Sequence, residues 1–254
     1  MIKCVHCGEE NEPIFTYCLS CGKPLEQSLS SFKPRAAPAS RGRSYRLVTV
    51  RADGSPGAEY ILNQGVNTIG AKGGDVCVPE DPRVADQHAT IEVGEDVAFL
   101  KDLGTRHGTF IRIQGERALA DGDQFRIGHA LFALELRGKR PQPAPDGSAW
   151  LGSLGLVPDF YGRLLRLGPE DTLIEAFPLS KPEVVLGRTT GDILLPDDPF
   201  VSSRHAAFVR TGDGCLLKDL GSTNGCYLRI RGRVALHHDD QILLGHQVFR
   251  FRSD

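Results

Sequence analysis

Apolar residues in this chain form short runs of strand length, bounded by Gly, Pro or Asp. Runs at this spacing, without the longer amphipathic period of a helix, predict an all-β sandwich. The pair Asp213-Gly214 predicts a hairpin turn between two of the strands. The predicted strands of the second half are Gly162–Leu167, Glu183–Gly187, Ala206–Arg210, Cys215–Leu220, Gln241–Leu244 and Val248–Phe251.

The same pattern occurs twice in the chain. A shift of 117 positions superimposes the first copy on the second without a gap from Gly70 to Phe132. A unit of about 90 residues is too long for a solenoid repeat, so each copy is expected to be its own domain. The matched pairs include Gly70 and Gly187, Asp75 and Asp192, His88 and His205, Gly104 and Gly221, Gly108 and Gly225, and Phe132 and Phe249.

Four of the seven cysteines lie in the first 21 residues, in two Cys-x-x-Cys pairs that are each followed by glycine. Thiolates in this pattern are typical tetrahedral ligands of one zinc ion, and Gly8 and Gly22 allow the tight turns that such ligands need. So short a segment cannot bury enough apolar surface to fold alone, so metal binding would have to stabilise it. The pattern resembles zinc ribbons at the ends of many bacterial signalling proteins, which implies a closed, structural site with His6 as a bystander. The predicted ligands are Cys4, Cys7, Cys18 and Cys21.

Charge and hydropathy narrow the class of protein. The 30 Lys and Arg residues against 32 Asp and Glu give a net charge of -2, so there is no basic field for general nucleic-acid binding. No apolar run approaches the roughly 20 residues that cross a bilayer, and the first residues lack the apolar stretch of a secretory signal. We therefore expect a cytoplasmic protein that binds neither membranes nor nucleic acid.

The second copy contains three loop motifs in a fixed order. Together they resemble the forkhead-associated (FHA) domain over roughly residues 160–254, and this resemblance implies a β-sandwich whose loops at one end recognise phosphothreonine. The motifs are Gly187-Arg188, Val201-Ser202-Ser203-Arg204-His205-Ala206, and Asp219-Leu220-Gly221-Ser222-Thr223-Asn224-Gly225.

The chemistry of these residues suits that role. A guanidinium offers a planar fork to a phosphate, and hydroxyl groups add neutral donors, as expected of Arg188, Ser202 and Thr223. The resemblance also places Ser203 at the phosphate and Asn224 against the ligand backbone. It implies that Gly187, His205 and Gly225 support the loops from behind. Each residue also has an ordinary interpretation: a solvated surface arginine, turn-capping hydroxyls and a hairpin Asn-Gly.

The first copy has the same framework and different side chains at these positions. The arginine fork and the hydroxyl groups are replaced, and an acidic side chain there would repel a phosphate. We therefore expect a degenerate FHA domain that has kept its fold and lost its ligand. Lys72 or Arg106 could restore some positive charge, but solvent-facing loop charges are the better interpretation. The replacements are Ala71, Ala85, Asp86, Arg106 and His107.

Two stretches rich in Pro, Ala and Ser separate these parts and are expected to be solvated linkers. The predicted organisation is a zinc ribbon at 1–24, a disordered linker at 25–44, the degenerate FHA domain at 45–138, a linker at 139–159 and the phosphothreonine-binding FHA domain at 160–254.

The leading functional hypothesis is a non-enzymatic adaptor that binds a phosphothreonine-containing protein. By resemblance, it would act downstream of a bacterial Ser/Thr protein kinase. The alternative is a phosphate-independent scaffold in which both sandwiches and the ribbon make constitutive protein contacts. No nucleophile elbow, phosphate-binding glycine loop or dinucleotide fingerprint occurs, so an enzyme is not expected. The ribbon has too few basic and aromatic residues to suggest nucleic-acid binding.

Overall fold

The computed structural model describes residues 2–3, 7–8, 10–11, 44–136, 145–146, 159–212 and 214–254. Near the N-terminus, strands β1 (Ile2–Lys3) and β2 (Glu10–Asn11) pair antiparallel. Residues 43–254 form a separate compact unit that contains both sequence repeats. None of the described residues forms a helix long and apolar enough to cross a membrane.

The first repeat consists of ten strands joined by tight turns. Alternating burial along them, as in β7 and β12, reflects one face packed on a core and one face exposed. The strands are β3 (Tyr45–Val50), β4 (Pro56–Leu62), β5 (Gly65–Gly70), β6 (Val76–Cys77), β7 (Ala89–Val93), β8 (Ala98–Asp102), β9 (Thr109–Arg112), β10 (Glu116–Leu119), β11 (Gln124–Ile127) and β12 (Ala130–Leu136).

The second repeat has the same ten strands, with a single 3₁₀ turn at Pro169–Asp171 after the first. All six strands predicted from the sequence are present within two residues of the expected bounds. Strands β17 and β18 pair antiparallel on either side of the predicted turn, in which Asp213 lies outside the described residues. The strands are β13 (Gly162–Leu167), β14 (Leu173–Leu179), β15 (Glu183–Gly187), β16 (Ile193–Leu194), β17 (Ala206–Thr211), β18 (Gly214–Asp219), β19 (Cys226–Arg229), β20 (Arg233–Leu236), β21 (Gln241–Leu244) and β22 (Gln247–Ser253).

The two repeats exchange their last three strands. Strand β10 pairs with β18, and β11 pairs with β19, so β10–β12 join the second repeat. In return, β20 pairs with β8, and β22 pairs with β3. We call residues 45–112 with 233–253 the first sandwich, and residues 116–136 with 162–229 the second sandwich.

Strands β9 and β19 pair antiparallel where the chain crosses over, which joins the outer sheets of both sandwiches into one sheet of ten strands. The order in that sheet is β14-β13-β12-β11-β19-β9-β21-β22-β3-β4. Five-stranded sheets cover its two halves, in the orders β10-β18-β17-β15-β16 and β20-β8-β7-β5-β6.

Each sandwich has its own apolar core, and each core draws on both repeats. In the second sandwich Phe125 and Phe132 of the first repeat pack beside Phe208 of the second. In the first sandwich Phe249 and Phe251 of the second repeat lie fully buried among side chains of β3, β5 and β7. Hydrophobic burial therefore holds the exchanged strands in place.

This pairing corrects the expectation that each repeat forms its own domain. The expected boundaries 45–138 and 160–254 describe the sequence repeats, but each sandwich takes strands from both sides of the linker. The segments β10–β12 and β20–β22 can exchange because they have apolar residues at equivalent positions, so either segment can fill either core. The linker residues 137–144, 147–158 and most of 1–43 lie outside the described residues, so the ribbon and linker boundaries remain predictions.

Candidate phosphopeptide-binding site

The predicted site residues lie on three loops that meet at one end of the second sandwich. Arg188 directly follows β15, Ser202 and Ser203 precede β17, and Thr223 and Asn224 precede β19. Because Leu186 pairs with Ala206, and Ala206 with Asp219, the end of β15, the start of β17 and the end of β18 are neighbours. The sheet therefore places all five side chains on the same edge.

Backbone hydrogen bonds hold the loops close together. The Arg188 amide donates to the Ser202 carbonyl at 2.9 Å, and the Thr190 amide donates to the Ser203 carbonyl at 3.0 Å. A Cβ at position 187 would lie 2.1 Å from that Ser203 carbonyl oxygen, so only glycine fits between the loops. The predicted supporting role of Gly187 thus has a steric cause.

The hydroxyl of Ser202 connects the second loop to the third. Its oxygen accepts a hydrogen bond from the Thr223 amide at 3.2 Å, which leaves its own proton available to an incoming ligand. The Asn224 amide group donates to the Phe200 carbonyl at 2.8 Å. Arg188 is partly exposed, and no carboxylate of the described part of the chain pairs with it. An anion could therefore approach this guanidinium without displacing an acidic partner.

His205 is fully buried behind these loops. Its Nδ1 accepts from the Ser202 amide at 3.0 Å, so Nε2 carries the proton and donates to the Gly225 carbonyl at 3.2 Å. Burial lowers the pKa of this imidazole, which keeps it neutral. Both ring nitrogens are thus used to fix the second and third loops relative to each other.

Sequence reasoning missed the partly buried carboxylate that shapes the third loop. Asp219 accepts from the Ser222 amide at 2.7 Å, the Ser222 hydroxyl at 3.0 Å and the Cys226 amide at 3.1 Å. The Ser222 oxygen in turn accepts from the Gly225 amide at 2.9 Å. The spacing from Asp219 to Ser222, three residues on, is typical of a side chain capping a turn and could have indicated this role.

Asp219 also lies beside His205 and Cys226, with ligand-type atoms within 4.8 Å of one another. The internal hydrogen bonds of the imidazole and carboxylate identify this group as loop support rather than a metal site. Burial raises the pKa of the Cys226 thiol, which disfavours the thiolate that a metal would need.

The first sandwich keeps the same framework. The Ala71 amide donates to the Ala85 carbonyl at 2.9 Å, and the buried His88 accepts from the Ala85 amide at 3.1 Å. His88 Nε2 lies 3.1 Å from the Gly108 carbonyl, as His205 does from Gly225. The position of Ser203 is occupied by Asp86, which pairs with Lys72 at 3.3 Å. The loops are therefore shaped alike, but their exposed side chains differ as the sequence indicated.

The strand exchange adds a residue of the first repeat to the surroundings of the second site. In the turn between β11 and β12, the His129 amide donates to Asp198 at 2.7 Å, and its ring lies 4.3 Å from that of Phe200. The reciprocal contact joins His246 to Asp81 at 3.0 Å. No signal in the sequence could have indicated this, because His129 and Phe200 meet only through the exchange.

Of the predicted zinc ligands, Cys4, Cys18 and Cys21 lie outside the described residues. Cys7 is exposed and follows the first strand of the β1–β2 hairpin. Gly8 after it has a φ of +79°, the left-handed conformation expected of the glycine in a cysteine-containing turn. The hairpin and the turn both fit a ribbon.

Comparison with known families matches the FHA domain to residues 67–128 and to residues 184–245. The chain belongs to the FHA domain family. The two FHA matches coincide with the two sequence repeats, and the all-β sandwich predicted for them is confirmed. Residues 2–26 match a second family, described as a domain of unknown function (DUF7577). FHA domains are protein-interaction modules.

Two curated relatives of this FHA protein come from Mycobacterium tuberculosis. It is 29% identical over 156 residues to the transcriptional regulatory protein EmbR, covering 57% of this chain and 40% of EmbR. It is 38% identical over 99 residues to the FHA domain-containing protein FhaA, covering 37% of this chain and 18% of FhaA. The chain thus spans well under half the length of these relatives.

Among solved structures, the protein is similar to Mycobacterium tuberculosis EmbR in complex with a low-affinity phosphopeptide. The identity is 34%, over 31% of this chain and 21% of that chain, with a TM-score of 0.20.

Proposed function

We propose that the protein is an adaptor whose second sandwich binds a phosphothreonine-containing protein, downstream of a Ser/Thr protein kinase. The observation that carries this proposal is the convergence of Arg188, Ser202 and Thr223 on one loop cluster, with the arginine unopposed by acid among the described residues. A phosphate dianion can accept from a guanidinium and from hydroxyl groups at once. Ser203 is exposed on the same edge, and Asn224, whose side-chain nitrogen donates to the Phe200 carbonyl, would use its oxygen for the ligand backbone.

The geometry of the site supports binding rather than catalysis. A serine nucleophile needs a base within reach of its hydroxyl group. Here His205 accepts from the Ser202 backbone amide, while its other nitrogen donates to Gly225, so neither nitrogen can take the hydroxyl proton. An intracellular location suits such an adaptor and belongs to the same proposal.

The first prediction concerns Arg188→Ala, tested by calorimetric titration with peptides from a phosphothreonine library. Loss of a charge-assisted contact to phosphate costs about 1.5–3 kcal/mol, so affinity should fall roughly ten- to 150-fold. Circular dichroism should show an unchanged fold, because the contacts that hold the loop come from the Arg188 backbone.

The matched control is Arg163→Ala, which removes the same charge from β13, where Arg163 pairs with Glu135 at 2.9 Å. This variant should bind as the wild type does, and unphosphorylated peptide should not bind. Equal binding of phosphorylated and unphosphorylated peptide would favour the alternative, a phosphate-independent scaffold.

The same proposal includes one structural zinc ion, held by Cys4, Cys7, Cys18 and Cys21. The fit of the β1–β2 hairpin and of Gly8 to a cysteine-containing turn supports it. Elemental analysis of the purified protein should find one zinc per chain, and Cys7→Ser should reduce that content sharply. Wild-type protein without metal, with all four thiols reactive, would contradict this prediction.

A further inference from the structure

Arg126 is a buried cation with no counterion among the residues that the structure describes. It lies on β11, on the face turned away from the core residues Phe125 and Ile127, and only 8% of it is exposed. Its guanidinium lies 5.1 Å from the centre of the Phe110 ring, and its buried Nε has no hydrogen-bond partner in the described part of the chain. No ion pair within the described ranges reaches it. An unpaired buried charge is costly, so an arginine kept in this position calls for a partner.

A second arginine lies beside it under the third loop of the first repeat. Arg229 donates to the Thr105 carbonyl at 2.9 Å and to the Gln124 side chain at 2.6 Å. A Cβ on Gly108 would lie 2.4 Å from the Arg229 Nε, so this guanidinium touches the underside of the loop. Both acceptors of Arg229 are neutral, so Arg229 adds a positive charge that no carboxylate among these contacts neutralises.

Two groups on the loops, Arg83 and His107, interact electrostatically with Arg126. Burial, and then Arg83 and Arg229, lower the pKa of Arg126 to about 10. Burial, and then Arg83, Arg106 and Arg126, lower the pKa of His107. These mutual effects place the groups within electrostatic reach of one another. Arg83 is exposed, and His107 is partly exposed, so both remain accessible from solvent.

This cluster is particular to the first repeat. At the shift of 117 positions, Arg83 corresponds to Phe200, His107 to Asn224 and Arg126 to Leu243. His107 stands at one of the lost phosphothreonine positions, whereas Arg83 and Arg126 do not. The acidic Asp86, which argued against a ligand here, is paired with Lys72.

We propose that Arg83, His107 and Arg126 form a second anion site, which takes a phosphate monoester at the loop end of the first sandwich. Guanidinium groups suit phosphate because they offer parallel N–H donors, and the partly exposed imidazole can donate as well. The anion would supply the partner that Arg126 lacks. Arg229 would position the loop from beneath, and Arg106, held by Glu170 at 3.3 Å, would remain at the rim. This site does not depend on phosphothreonine binding by the second sandwich.

The test uses the full chain with Arg188→Ala, so that the second sandwich does not contribute. Thermal unfolding is followed against inorganic phosphate, and against chloride at equal ionic strength. We expect a saturable rise in Tm with phosphate only. A second substitution in the same protein, Arg126→Leu, introduces the residue type found at the equivalent position of the second repeat, Leu243. It should raise the Tm measured without phosphate and remove the phosphate-dependent rise in Tm. A phosphate-dependent rise that persists in Arg126→Leu, or none in its parent, would overturn the proposal.

Arg83→Ala provides an independent variant in case Arg126→Leu does not fold. It removes an exposed side chain, and it should weaken phosphate binding about tenfold or more. Arg163→Ala is again the charge-matched control and should keep the phosphate response. Titration with phosphopeptide distinguishes the sources of the anion. Tighter binding than inorganic phosphate identifies a phosphorylated protein segment, and equal binding identifies free phosphate. Unchanged phosphate binding in Arg83→Ala would contradict the site.

Discussion

At the scale of single residues, the sequence could indicate which loops meet at the proposed second site, because its members lie in short motifs. Arg188 beside Gly187, and Thr223 beside Asn224, are separated by strands that pair directly, so chain order places them together. The structure adds the reasons, such as the close approach of the Ser203 carbonyl to Gly187. Residues such as Arg126 could not be predicted, because burial without a partner is a property of packing that no motif encodes.

His205 gives the second sandwich a dependence on pH. Burial lowers the folded-state pKa of this histidine below its ordinary value of 6.5. As pH falls below 6.5, His205 of the unfolded chain binds a proton more readily than His205 of the folded protein. The contribution of His205 to the free energy of unfolding is therefore fully present above this pH and decreases as the pH falls. One such group can change the free energy of unfolding by at most about 1.4 kcal/mol per pH unit. Urea unfolding of the unliganded protein at a series of pH values from 8 to 5 measures this change in the free energy of unfolding.

The comparison variant is His205→Gln, which keeps hydrogen-bonding groups but does not titrate. It should be less stable than the wild type at pH 8, and it should lose less stability on acidification. The contributions of all other groups are common to both proteins and cancel in the difference. Equal pH slopes for the two proteins would show that His205 does not contribute.

At the scale of strands, periodicity predicted which segments are extended but not all of them. Strand β14 was missed because most of its residues are exposed, as suits the edge of the large sheet, so it shows no alternation. Strand β16 was missed because two residues are too few for a pattern. Strands β19 and β20 are as long as the predicted β21, but their burial does not alternate regularly as it does in β21. The strands that were predicted are those with a clearly buried face.

The partners of the strands could not be predicted from the sequence. The exchanged segments carry equivalent apolar positions, Leu119 with Leu236 and Phe132 with Phe249, so either segment fills either core. What the exchange adds is the pairing of β9 with β19, which connects two outer sheets that would otherwise each end there. Because the same apolar pattern occurs in both segments, the sequence does not distinguish the exchanged structure from one in which each repeat pairs only with its own strands.

At the scale of the whole molecule, the exchange gives the degenerate repeat a structural role. The first repeat supplies β10–β12 to the sandwich that carries the proposed phosphothreonine site, and its His129 packs against Phe200 beside that site. The arginines follow the same symmetry: Arg229 of the second repeat supports the loop at Gly108, and Arg112 of the first supports the loop at Gly225. Removing either repeat would therefore leave the other sandwich without three of its strands.

A crosslink between β10 and β18 tests the exchange directly. Glu116 lies opposite Lys218, and both are exposed. Antiparallel partners have Cα atoms about 4.5–5.5 Å apart, within the range of a disulfide. Glu116→Cys with Lys218→Cys, in a Cys77→Ser background to remove an exposed native thiol, should therefore form an intrachain disulfide on mild oxidation. Peptide mapping without reduction would identify the bond.

The repeat supplies its own control for this crosslink. Position 233 corresponds to position 116 at the shift of 117, so Arg233→Cys with Lys218→Cys would be joined only if each repeat closed on its own strands. In the exchanged structure Arg233 lies opposite Lys101 in the other sandwich, and its guanidinium lies 3.7 Å from the centre of the Phe99 ring. This pair should stay reduced under the same conditions. Efficient crosslinking of positions 233 and 218, with none between 116 and 218, would establish two self-contained sandwiches and refute the exchange.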